Sequence, residues 1–195
     1  SRLGFLRSAV MADLRFFSAF LTPSGTSILG KKLKPFCLKH RIFLEGIASP
    51  YVAQDKELTP TDLLLAIKIC ADESIDGFTL ADKWKALVLT LSKPRMAEAS
   101  LAFVKHINQQ GSYPKFYEKK ASSGESSIPW QLSILATLVR NGMSYSDALN
   151  MPEAKALWLA TAFNIQQGAK LDILTTDDEE LIDHLAELEA KKHNE

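Results

Sequence analysis

Thr59-Pro60-Thr61-Asp62-Leu63-Leu64-Leu65-Ala66-Ile67-Lys68-Ile69-Cys70 and, just after it, Thr79-Leu80-Ala81-Asp82-Lys83-Trp84-Lys85-Ala86-Leu87-Val88-Leu89-Thr90-Leu91 decide the fold class. In the first stretch a Thr can cap a helix, Pro60 suits the first helical position, and Asp62 sits in the first turn, where the helix end carries positive charge. Leu63, Leu64 and Ile67 then recur at helical spacing. The second stretch repeats the device with Thr79 and Asp82, and it places Trp84, Leu87, Val88 and Leu91 on one face.

The same start signals recur downstream. Ser144-x-x-Asp147 and Thr176-x-x-Glu179 open helices, and so does Asn150-x-x-Glu153 with Pro152. Gly77, Gly111, Gly142 and Gly168 each follow a periodic stretch, as glycines that end helices do. The resulting map has helices near 5–20, 34–48, 60–72, 80–92, 95–110, 129–141, 145–150, 152–168 and 176–192. No segment alternates with period two, and no Asn-Gly or Asp-Gly joins two strand-like runs. The sequence thus predicts an all-α fold: an irregular bundle of eight or nine helices with short connections, one long loop and no sheet beyond an incidental hairpin. The organisation expected is a helical group over 1–110, a loop over 111–127, a second helical group over 128–172 packed on the first, and an acidic amphipathic helix over 173–195. Gly111 to Ser127, rich in Gly, Ser and Lys, is expected to be mobile or exposed, with Lys119-Lys120 its protease-sensitive point.

Composition fits a globular chain: 46% of the 195 residues are apolar, enough for a sizeable core, and 24% are charged. Net charge is zero but unevenly placed, at +6 over residues 1–50, +1 over 51–170 and −7 over 171–195. Cys37 and Cys70 lie within apolar helical patterns and read as buried free thiols, which suits a reducing cytoplasm. Near the N-terminus, Asp13 and Arg15 interrupt any leader-like apolar run, and Phe16 to Leu21 is too short to span a bilayer. Met11 is an alternative start, which would make residues 1–10 upstream sequence.

Few constellations suggest chemistry. Cys37-x-x-His40 shares a helix face, and Cys70 and His106 could complete four zinc ligands. Zinc sites usually repeat close ligand pairs, however, and only one pair is close here. No Gly-x-Ser-x-Gly elbow occurs, and neither phosphate-binding glycine motif occurs. The reading is therefore a non-enzymatic chain with no cofactor, no metal and no membrane span. The run Lys31, Lys32, Lys34, Lys39, His40, Arg41 could meet phosphates. It is short, though, and it reads better as a solvated helix start whose apolar side (Leu33, Phe36, Phe43, Leu44, Ile47) enters the core, so nucleic acid is not the expected partner. Of the tryptophans, Trp84 and Trp158 read as core, and Trp130, after Ile128-Pro129, reads as half exposed and a partner contact. In the terminal helix Leu181, Ile182, Leu185 and Leu188 form a narrow stripe amid acids. That stripe must cover its own core, a second copy or a partner, and attraction to the basic 1–50 segment would make it a clasp.

A family likeness adds to this. The stretch from Ile128-Pro129-Trp130-Gln131-Leu132 to Ala169 resembles tail assembly chaperones of tailed phages and prophages. Within it, Gly142-Met-Ser-Tyr-Ser-Asp-Ala-Leu-Asn-Met-Pro-Glu-Ala-Lys-Ala-Leu-Trp-Leu159 is similar to their turn between helices followed by an Ala-rich helix. Leu33-Lys-Pro-Phe-Cys-Leu-Lys-His40 with Ser49-Pro50 likewise resembles phage-associated proteins. The resemblance implies a host-cytoplasmic protein that keeps the tape-measure protein, or another tail protein, soluble during assembly. The alternative is a structural or adaptor subunit of the phage particle or another large complex.

Overall fold

In the computed structural model, which describes residues 14–21, 25–53, 56–109, 113–115, 128–169, 173–174, 178, 181–182 and 184, eight helices follow one another around a single two-stranded hairpin. They are α1 (Leu14–Phe20), β1 (Ser27–Ile28), β2 (Lys31–Lys32), α2 (Leu38–Gly46), α3 (Pro60–Cys70), α4 (Leu80–Leu91), α5 (Lys93–Asn108), α6 (Trp130–Arg140), α7 (Tyr145–Asn150) and α8 (Glu153–Gln166). The fold is all-α, as the capped periodic segments predict. No helix among the described residues is long and apolar enough to cross a membrane.

Helix α3 is apolar nearly all round, and such a helix can only be buried. Leu63, Leu64, Ala66, Ile67, Ile69 and Cys70 all lie in the larger apolar cluster, with Phe36, Leu44, Leu89 and Phe103 from α2, α4, α5 and the segment before α2. Each large side chain there contributes about 1.5–3 kcal/mol of burial before entropy is subtracted. A second cluster joins Ile134, Leu135 and Leu138 of α6 to Ala148, Ala156 and Ala160, and it includes Leu38 of α2. A third packs Ala19 of α1 on Ala154 and Trp158 of α8. Thus α2 belongs to both main clusters, through Leu44 in one and Leu38 in the other.

Three caps are where the sequence places them; Asn150 instead ends α7 and donates to Ser146 C=O, α8 starts after Pro152 with no side-chain cap, and Thr176 lies outside the described residues. Thr59, Thr79 and Ser144 each accept the backbone N–H three residues on, and Asp62 and Asp82 complete capping boxes. Gly142 and Gly168 close α6 and α8 with φ of +91° and +92°. Two stops place a residue other than glycine at positive φ. Ala48 (φ 49°) closes α2, and Asp72 (φ 53°) closes α3, where the sequence suggests Gly77 instead. In both, paired backbone bonds fold the end back, Ser49 N–H to Leu44 C=O and Glu73 N–H to Lys68 C=O. Gly111 lies outside the described residues. The hairpin turns through Leu29 and Gly30, both at positive φ, the tight geometry whose usual sequence signal is Asn-Gly and not Leu-Gly.

Two readings need correction. Leu33, Phe36 and Leu44 are buried, but Phe43 and Ile47 are 44% and 39% exposed. Of the 111–127 segment, Tyr113 is half-buried and Pro114 buried, while Lys115 is exposed. The Tyr113 hydroxyl donates to Glu153 Oε1 at 3.0 Å, and Lys115 C=O accepts the Leu174 N–H. The rest of that segment, with Lys119-Lys120, lies outside the described residues.

Candidate functional site

Helix α4 is turned against its own amphipathic pattern. One narrow arc of about 60° carries Leu80, Trp84, Leu87 and Leu91, since 3.6 residues make a turn, and this arc faces solvent. Leu80 is 85% exposed, Trp84 66% and Leu91 78%. The opposite arc, facing the domain, carries Asp82 and Lys85 beside Leu89. The cause is Asp82. It is buried, its carboxylate takes the Thr79 N–H and hydroxyl at 3.1 and 2.9 Å, and Lys31 Nζ and Lys68 Nζ stand 3.3 and 3.7 Å away. Burial works against the charge of Asp82, but the Thr79 and Lys31 contacts outweigh it and hold the carboxyl below its usual range. Lys68 is itself buried, donates to Gly77 C=O at 2.6 Å and lies over the Phe78 ring. Lys85 reaches Leu29 C=O at 2.7 Å. These polar ties draw one face of α4 inward, so the apolar face must point out. Trp84 is therefore a surface residue and not part of the core.

Two grooves flank the α4–α5 corner. One, of about 530 Å³, runs between the hairpin and the two helices and is walled by Ile28, Leu29, Trp84, Val88 and Ala102. The other, of about 550 Å³, is walled by Leu58, Met96, Leu101 and Val104. Leu101 and Val104 add exposed apolar surface on α5. The helices also carry Lys83, Lys93, Arg95 and Lys105 at exposed positions, against Glu98 as the one exposed carboxylate.

The basic segment is largely occupied by acids. Lys31 binds Glu73 and Asp82; Lys34 and Lys39 bind Asp72 at 2.5 and 2.9 Å; and Arg41 grips the buried Glu153 through Nε and Nη2, both at 2.9 Å. Lys32 is exposed. Partial burial opposes ionisation of Asp72, yet hydrogen bonds from Lys34 and Lys39 hold it well below the usual carboxylate range. These cations fasten α2 to the ends of α3 and α8 and do not present a positive patch.

Cys37, His40, Cys70 and His106 are all buried, but no three His, Cys, Asp or Glu side chains converge as a metal centre among the described residues. His40 Nδ1 accepts the Cys37 backbone N–H at 3.4 Å, and its Nε2 lies 3.5 Å from an Asp72 oxygen. Both ring nitrogens are thus engaged in closing the start of α2. Burial lowers the His40 pKa to about 4, with Asp72 opposing, and burial pushes both thiols up. His106 is lowered by burial too; a ring nitrogen meets the Lys34 backbone, and Nε2 has no partner.

Trp130 is exposed at the start of α6, in keeping with its sequence reading, and Trp158 is buried. Residues 178, 181, 182 and 184 are helical. Leu181 and Ile182 stand 58% and 46% exposed. Leu185 and Leu188 lie outside the described residues. Sequence reasoning put Trp84, Leu87, Val88 and Leu91 on one face but missed that this face, with Leu80, points to solvent; the available signal was the pair Asp82 and Lys85 on the opposite side. Comparison with known protein families, characterised proteins and solved structures finds no match in any of the three.

Proposed function

We infer that the protein is a non-enzymatic binding module that covers an apolar helical segment of a protein partner. The observation that carries this reading is the outward face of α4, where Leu80, Trp84, Leu87 and Leu91 share a narrow arc while buried ion pairs anchor the opposite side. Large apolar side chains gathered on a surface mark interaction sites, and an aromatic at the centre of such a patch is a common anchor. A second helix laid along this face would meet the stripe at 4-3-4 spacing, the pattern by which helices interlock. The face is also firmly held, so little ordering entropy is lost when a partner docks. The resemblance of 128–169 to phage tail assembly chaperones, which implies keeping the tape-measure protein soluble, supports this reading, and we assign the partner to that class: an apolar helical segment of a tape-measure or other tail protein.

The test is titration of the full chain with a synthetic amphipathic helical peptide bearing Leu at 4-3-4 spacing, followed by tryptophan fluorescence. Saturable binding is expected, with a dissociation constant on the order of micromolar. Trp84→Ser with Leu91→Ser should weaken it about tenfold or more, while unfolding free energy changes by only about 0.5 kcal/mol, because both side chains are exposed. Equal binding by the variant would overturn the assignment of the face.

A further inference from the structure

Among the described residues, members of two apolar helical stripes are exposed. One is on α4. The other is the terminal stripe, whose described members Leu181 and Ile182 are exposed alongside it. Their spacings match: Leu80, Trp84, Leu87 and Leu91 step by 4-3-4, and Leu181, Leu185 and Leu188 step by 4-3. Two helices with such steps can interlock along one seam.

Their charges are opposite. Residues 171–195 carry nine acids against two lysines, a net −7. Beside the α4 stripe stand Lys83, Lys93, Arg95 and Lys105, none in an ion pair with another described residue, against Glu98 alone. In the N-terminal basic segment, the other candidate for attracting the tail, Lys31, Lys34, Lys39 and Arg41 are occupied by Asp72, Glu73, Asp82 and Glu153, which leaves Lys32 as its one described exposed cation without an acid. The rim of the apolar α4 face thus gathers four exposed cations beside one acid, a positive surface that suits the tail.

Resting on the reading of α4 as a helix-binding face, we propose that this face takes the acidic terminal helix of a second copy of the chain. Within one chain the four α4 side chains and the described tail residues Leu181 and Ile182 stay exposed, so the contact is made between copies. Exchange is reciprocal: each copy gives its tail and receives the other's, which closes the pair under two-fold symmetry and leaves no unfilled face to propagate a fibre. The tail then stands in for the partner helix and keeps the face covered until a better-fitting segment displaces it.

The experiment uses the full chain and two variants of it, one with the tail stripe broken (Leu181→Ser with Leu185→Ser) and one with the face broken (Trp84→Ser with Leu91→Ser). Light scattering from about 1 to about 100 μM should give a dimer for the parent chain and a monomer for each variant, a shift in midpoint of at least about tenfold. An equimolar mixture of the two variants restores one intact contact and should re-form a dimer. A clasp within one chain cannot be rescued by mixing. Raising salt from about 0.05 to about 0.5 M should weaken the dimer severalfold, as charge attraction is screened. A monomeric parent chain across that range, or a mixture no more associated than its components, overturns the proposal. The tail-broken variant separates this failure from that of the underlying reading. If it binds the synthetic amphipathic peptide while the parent stays monomeric, only the second-copy assignment falls; if it binds no peptide, the helix-binding reading of α4 falls as well.

Discussion

At the scale of single residues, His40 makes the protein sensitive to mild acid. Its folded pKa is depressed to about 4 from an ordinary value near 6.5, so below 6.5 the unfolded chain takes up a proton that the folded chain refuses. Stability is intact above that value and falls as the pH drops towards 4, by about 3 kcal/mol in all at about 1.4 kcal/mol per pH unit. His106 is shifted in the same direction and adds to the slope. Urea unfolding across this range should show the decline, and His40→Asn, which keeps an acceptor for the Cys37 N–H, should make it shallower by one proton. A second prediction concerns the end of α2. Gly46 sits in the helix with open space around a would-be Cβ, while Ala48 sits two residues on at φ 49°, where glycine is unstrained. Gly46→Ala and Ala48→Gly should each raise unfolding free energy by about 0.5–1 kcal/mol, and a pair of thermal melts checks this.

At the scale of the element, the helices were legible because their signals are local. Thr59 with Asp62, Thr79 with Asp82 and Ser144 with Asp147 are each three residues apart, and the chain honours every one. The orientation of α4 was not legible. It is decided by Lys31 and Lys68, which are far from Asp82 in sequence and draw the acid inward. A local reading sees an apolar arc with a tryptophan and assigns it to the core. The same remoteness hid the fate of the basic segment, whose acids come from α4, α8 and the turn after α3. Asp82→Ala should therefore cost far more than a lost cap. It leaves Lys68 buried without its carboxylate, and unfolding free energy should fall by about 3–5 kcal/mol, against about 1 kcal/mol for Thr79→Ala. Equal losses in the two variants would mean that Asp82 acts only as a cap.

At the scale of the whole molecule, the starts of α2 and α8 are stitched together. Leu38 N–H donates to Met151 C=O, Glu153 N–H donates to Phe36 C=O, and Arg41 clasps Glu153 across the junction. Glu153→Gln should cost about 2–4 kcal/mol in chemical denaturation, since Arg41 loses its charged partner in a buried setting. Combining it with Arg41→Met should cost less than the sum of the two, as for groups in direct contact. The stitch also sets a schedule for synthesis. Residues 38 and 151 meet only after the intervening chain has been made, on the order of 5–20 s of translation. Helices α3, α4 and α5 depend mostly on near neighbours and can settle during that wait, whereas the first turn of α2 must stay unfinished until α8 is delivered. Slow translation before residue 153 would thus prolong a half-assembled state with Leu38 uncovered, and the rate of elongation becomes a determinant of yield.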